Sequence, residues 1–219
     1  MRYLVDEAYK KFNERLVQTK YEIIGVRVPV LRQMAKQMIK DGQWQQVLLE
    51  QSKYHEDVQL SCFILSTAPM MVKERQQALE NFFPYMDNWQ VVDGLCSGLK
   101  ETKKHPQLYW DWLKTLRASG EPFVIRFVVV MYLSYFLESE HLEDVLVYFE
   151  SITDDHYYVK MAIAWALSIA FIKDEARLTQ FFVQTKLDKW TYNKALQKII
   201  ESRQISEDVK MEVRSWKRL

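Results

Sequence analysis

The stretch FVIRFVVVMYLSYFL, residues 123–137, decides the fold. Every position in it except Arg126 and Ser134 is apolar or aromatic. Pro122 stands just before it, a residue tolerated in the first turn of a helix but not in its interior. The run is too short to span a bilayer and reads as a helix buried on most of its sides. One guanidinium, Arg126, sits inside it and needs a reason.

Working outward, nearly every other segment carries the helical period and none sustains strand alternation. The 219 residues hold only five Gly and five Pro, too little punctuation for a strand-and-turn fold. The pattern predicts helices over 2–18, 29–40, 43–51, 55–67, 72–82, 89–103, 106–118, 122–137, 141–150, 155–172, 174–184, 189–202 and 206–217. Pro29, Pro106 and Pro122 open three of them, and Asn88 or Asp87 caps the helix at 89. The helices at 89, 122 and 155 are the most apolar and recur at intervals of about 33 residues. The fold class is therefore all-α: an α-α superhelix, or solenoid, of HEAT-like helical repeats. No Ser- or Pro-rich linker divides residues 1–219, so a single domain is expected.

The net charge is only +1, but it is unevenly spread. Residues 10–40 carry eight Lys/Arg against two acids, and residues 189–219 carry eight against four. Residues 138–155 carry seven acids and no Lys or Arg. Such a split either steers an anionic partner or reflects ordinary solvated faces. Cys62 and Cys96 lack metal spacing and suit buried positions in a reducing compartment. The opening MRYLVDEAYKKF has no secretion-signal core, so a cytoplasmic protein is expected.

Three inner helices carry residues that break the apolar pattern. NWQVVD places Trp89 and Asp93 four apart, on one helical face. FVIRFVVV carries Arg126, and KMAIAWAL carries Trp165 among alanines. Each has a plain structural reading: the tryptophans as core, Asp93 and Arg126 as a buried ion pair. Buried pairs are a weak route to stability, so charges on the most apolar helices also point to function. His55, His105, His141 and His156 are scattered and suit surface or capping roles. There is no Gly-rich phosphate loop, HExxH, CxxC or nucleophile elbow, so neither a metal nor any other cofactor is expected.

Together, IIGVRVPVLRQMAK, NWQVVD, the Arg126 helix and KMAIAWAL make the chain resemble the DNA alkylation repair proteins of the HEAT-like-repeat DNA glycosylase family, over about residues 20–200. That resemblance implies a concave basic face gripping duplex DNA. It implies excision of cationic N3- and N7-alkylated purines without a base-flipping pocket, while the short apolar runs argue against a membrane and a monomer is the simplest reading. By resemblance, Asp93 is the catalytic carboxylate, Trp89 and Trp165 line the deoxyribose, and Arg126 holds a backbone phosphate, its head reaching the DNA face rather than the core. Two positions depart from the family pattern. Ser168 stands where members often carry Arg, and Asn193 where a basic residue is usual. A catalytically inactive paralogue that binds nucleic acid or another partner is the alternative, and a peptide-binding solenoid rests on fold analogy alone.

Overall fold

Prolines and polar caps divide the chain much as the pattern predicts. In the computed structural model, which describes residues 4–48, 52–138 and 140–218, thirteen α-helices follow one another. The only β pairing among the described residues is two isolated bridges, Val5 with Val26 and Glu22 with Tyr54. No helix among them is long and apolar enough to cross a membrane. By internal contacts the chain divides into two compact units, Met1–Trp112 and Leu113–Leu219.

The first unit holds α1 (Glu7–Leu16), α2 (Val28–Lys40), α3 (Trp44–Val47), α4 (His55–Thr67), α5 (Val72–Phe82) and α6 (Trp89–Gly98), and α7 (Pro106–Leu116) crosses the unit boundary. Helices α2, α4 and α6 pack in a row, with α3 against α2 and α5 against α4. The second unit holds α8 (Pro122–Tyr135), α9 (Leu142–Ser151), α10 (Tyr157–Lys173), α11 (Glu175–Gln184), α12 (Lys189–Glu201) and α13 (Glu207–Ser215). Here α10 lies between α8 and α12, with α11 against α10 and α13 against α12. The row helices α4, α6, α8, α10 and α12 begin at residues 55, 89, 122, 157 and 189, intervals of 34, 33, 35 and 32. The protein is thus all-α and built of helical repeats.

Two of the row helices, α4 and α8, are buried over most of their length. On α4, eleven of thirteen residues are buried, and on α8 the run Val124–Tyr132 is buried without a break. This explains why α8 reads as a continuous apolar run rather than a one-sided stripe. Gly98 lets α6 approach α4: a Cβ there would run into the Ser66 side chain. Arg75 is 4% exposed and joins elements of the first unit. It donates to the carbonyls of Leu65 and Ala68 at the end of α4 and pairs with Glu101 at 2.9 Å.

Several boundaries differ from expectation. Helix α1 starts at Glu7 because Asp6 caps it, accepting from the Tyr9 amide at 2.9 Å. The helix expected over 43–51 is the four-residue α3, and residues 49–51 lie outside the described residues. The helix expected over 89–103 ends at Gly98, since Leu99 (φ −74°, ψ 49°) leaves the helical region. Lys100–Lys103 then form a separate 3₁₀ turn. Cys62 and Cys96 are buried as expected, and burial pushes the Cys62 thiol well above its ordinary pKa.

Candidate functional site

In the first unit the site residues stand on α6, whose buried side is Val91, Val92, Leu95, Cys96 and Gly98. Trp89 and Asp93 lie on the opposite stripe, both half-buried, followed by exposed Ser97 and Lys100. The i, i+4 spacing thus places the indole and the carboxylate one turn apart on the open side of the helix. The Trp89 Nε1–H points at the Leu16 carbonyl, 3.5 Å away, at the end of α1.

What holds the start of α6 is a buried polar network that the helical period does not reveal. Asn88 is fully buried and caps α6, its Oδ1 accepting from the Val91 amide at 3.3 Å. Its Nδ2 donates to Asp87 Oδ1 at 2.7 Å and approaches His55 Nδ1 at 3.5 Å. Asp87 Oδ2 in turn accepts from the Lys20 amide at 2.6 Å and the Thr19 hydroxyl at 2.8 Å. Two residues on, Gln90 Oε1 meets Gln59 Nε2 at 3.2 Å and His55 Nε2 at 3.3 Å, and Gln90 Nε2 donates to Asn13 at 2.9 Å.

His55 is fully buried, a correction to the surface or capping role expected of it. His156 does cap α10, accepting from the Tyr158 amide. Burial lowers the His55 pKa from its ordinary 6.5, against smaller opposing effects from Gln90, Glu56 and Asp87. A neutral ring protonated on Nε2 satisfies both partners: it donates to the Gln90 oxygen and accepts from the Asn88 amide.

Beside this network, the buried Glu56 carboxylate gathers three consecutive backbone amides. Ile24, Gly25 and Val26 donate to it at 3.1, 2.7 and 3.3 Å. Gly25 is required there, because its φ is +93° and a Cβ would collide with the Asp6 carbonyl and with Lys10. The IIGVRVP break is therefore a fixed corner that joins α4 to the segment following α1.

In the second unit, Arg126 and Trp165 stand on the neighbouring helices α8 and α10. Trp165 is half-buried between Ala164 and Ala166, both fully buried. Arg126 departs from the expectation of a head reaching outward: it is 4% exposed. Its Nη1 donates to the Tyr158 carbonyl at 2.7 Å, and its guanidinium lies 5.9 Å from the centre of the Tyr158 ring. An apolar helix can carry it because a carbonyl one helix away takes the charged head.

Two further cations on this unit were not picked out by the sequence pattern. Lys194 and Lys198 are a turn apart on the partly open side of α12. Burial lowers the Lys198 pKa; Glu201 opposes this, while the charges of Lys194 and Arg126 add to it. Lys198 therefore feels the charges of both Lys194 and Arg126, and an anion placed beside it would relieve that repulsion. Their signal was the i, i+4 spacing of two lysines on an amphipathic helix, which is common on solvated faces.

The two departures from the family pattern have structural uses. Ser168 is buried and donates its hydroxyl to the Trp165 carbonyl at 2.7 Å. Asn193 clamps the backbone of Arg218, donating to its carbonyl at 2.8 Å and accepting from its amide at 3.0 Å. The acidic stretch 138–155 is largely paired within its own unit, Asp144 with Arg117 and Lys114, Glu138 with Lys173, and Glu143 with Arg177. Among the described residues, no three His, Cys, Asp or Glu gather as metal ligands would.

A family model described as DNA alkylation repair enzyme matches residues 1–199 of the chain. No curated protein matches it.

Proposed function

From the premise that this chain belongs to the DNA alkylation repair enzyme family, we propose that it is a DNA glycosylase releasing cationic N3- or N7-alkylated purines from duplex DNA. The observation that carries the reading is the half-buried Asp93 carboxylate one turn from the Trp89 indole, on a helix whose start is fixed by buried hydrogen bonds.

Alkylation at N3 or N7 makes the purine cationic and therefore a good leaving group. As the C1′–N bond breaks, its electron pair goes to the base, which leaves neutral, and positive charge grows on the sugar. A fixed carboxylate stabilises that charge and orients the water that adds to C1′, while the water's proton passes to the carboxylate or to solvent. Asp93 takes this role. The faces of Trp89 and Trp165 suit a cationic sugar through their ring quadrupoles. Arg126 supplies a planar, always charged donor for a backbone phosphate. Because it now spends Nη1 on the Tyr158 carbonyl, a phosphate would share or replace that bond. The chemistry asks for no cofactor. We place the protein in the cytoplasm as a monomer acting on DNA.

Single-turnover release of 7-methylguanine from methylated duplex DNA tests the reading. Asp93→Asn, with its helix content checked by circular dichroism, is expected to release base about 100-fold more slowly or worse. No release by the unaltered protein overturns the glycosylase. A second reading, a paralogue that binds DNA without cutting the glycosidic bond, is favoured by Ser168 and Asn193. Both are occupied with internal contacts where the resemblance leads one to expect phosphate-binding cations. Salt-dependent duplex binding with no base release would select it.

A further inference from the structure

The C-terminal segment of the second unit is fastened with more bonds than an exposed end needs. Asn193 holds both backbone groups of Arg218. The Arg218 guanidinium donates to the carbonyls of Leu187 and Thr185, each at 2.7 Å, and stacks 3.8 Å from the centre of the Tyr192 ring. Trp216 packs edge-on against Phe171 at 6.2 Å and lies 6.3 Å from Phe182. The result sets exposed Lys217 over the first turns of α12, where Lys189 and Lys194 stand.

A cleft of about 570 Å³ opens between them, lined by Lys189, Lys194, Lys217, Arg218, Trp190, Asn193 and Gln197, and among the described residues no carboxylate lines it. Four cations gathered in one cleft repel one another, and an anion among them would relieve that repulsion. Asp188 stands at the start of α12, but its carboxylate is engaged in capping that helix and in the pair with Lys160 at 3.0 Å. Lys217 and Arg218 also lie beyond residues 1–199, the extent of the family match. The other five lining residues lie within the matched region, so the cleft is completed by a segment outside it.

We propose that the cleft is a second phosphate-binding site, taking a phosphodiester of the DNA backbone away from the reacting nucleotide. It rests on the reading that DNA is the partner, but not on catalysis. Lys189 and Lys217 form its two jaws, and Lys194 joins it along α12 to Lys198 and Arg126, giving the second unit a continuous cationic track. Arg218 contributes charge, its hydrogen bonds being committed to holding Lys217 in place.

The test is binding of an unmodified duplex across a sodium chloride series. Each phosphate contact adds close to one unit to the slope of log affinity against log salt. Lys189→Ala and Lys217→Ala should each flatten the slope by about one, and the double variant by about two. Asn193→Ala removes no charge, yet it should flatten the slope as Lys217→Ala does, because it frees the segment that carries Lys217. Wild-type slopes in the lysine variants would overturn the site. A wild-type slope in Asn193→Ala alone would show that the charge acts from any position, and would overturn the built cleft. Inorganic phosphate at millimolar concentration should compete weakly with duplex, whereas competition as strong as the duplex itself would make free phosphate the ligand. Binding that depends on these residues in a protein that releases no base would leave this site standing and remove the glycosylase. No duplex binding at low salt would remove both.

Discussion

Helices α6 and α10 are both largely apolar and each presents one half-buried tryptophan, yet they are held in place by opposite means. Helix α6 is ten residues long and is positioned at its start by Asn88, His55, Gln90 and the corner built on Glu56. Helix α10 is seventeen residues long and is positioned by close apolar contact, with Ala162, Ala164, Ala166 and Ala170 fully buried against its neighbours. Polar networks fix direction, because hydrogen bonds fail when geometry drifts. Apolar packing supplies more stability and tolerates small shifts. The carboxylate proposed to act on the sugar thus stands on the directionally fixed helix, and the guanidinium proposed to hold a phosphate stands beside the apolar one.

The largest break in this contrast is expected from Glu56→Ala. It leaves the amides of Ile24, Gly25 and Val26 without their acceptor, at a cost of about 1–3 kcal/mol for each donor left unpaired. Chemical denaturation should show a loss of about 3 kcal/mol or more, with Glu56→Gln recovering part of it. A loss under 1 kcal/mol would mean that the corner does not hold the first unit.

A smaller effect separates the two roles open to Arg126. Arg126→Met keeps the apolar stem and removes the charge. If the residue holds phosphate, duplex affinity should fall about tenfold while the unfolding midpoint changes little, a loss of about 1.4 kcal/mol in binding. Unfolding of the variant with unchanged affinity per folded molecule would make its bond to Tyr158 purely structural.

The smallest effect is expected at His55. Its pKa is lowered in the folded protein, so the unfolded chain binds more protons as pH falls through 6.5. The stability from a neutral His55 is present above pH 6.5 and is lost as pH falls below it, until the folded ring also takes up a proton. Thermal unfolding at pH 7.5 and 5.5 should show a drop that is shallower in His55→Gln. An equal drop in both proteins would assign the acid sensitivity to other groups.

Much of the helix plan was legible because its signals are local. The boundaries of α4 and α5 coincide with the expected 55–67 and 72–82, and Asn88 and the prolines at 106 and 122 start helices where expected. The end of α6 was not legible. Nothing in SGLKETKK forbids a continued helix, and Leu99 leaves it by a backbone turn that only the surrounding packing selects. His55 was misread for a related reason. Its partners Asn88 and Gln90 lie 33 and 35 residues away, one repeat further along the chain.

The sequence by itself determined that this protein is a succession of helical repeats and that Trp89 and Asp93 share a face, because helical period and i, i+4 spacing are properties of the backbone near each residue. Only the tertiary structure decided which polar groups meet. It gave the Arg126 head to the Tyr158 carbonyl, turned Asn193 from an expected phosphate position into a clamp on Arg218, and raised Lys217 over α12. The two hydrogen-bonded pairings join residues 32 and 25 positions apart, and it is the stacking of one repeat on the next that brings them within reach.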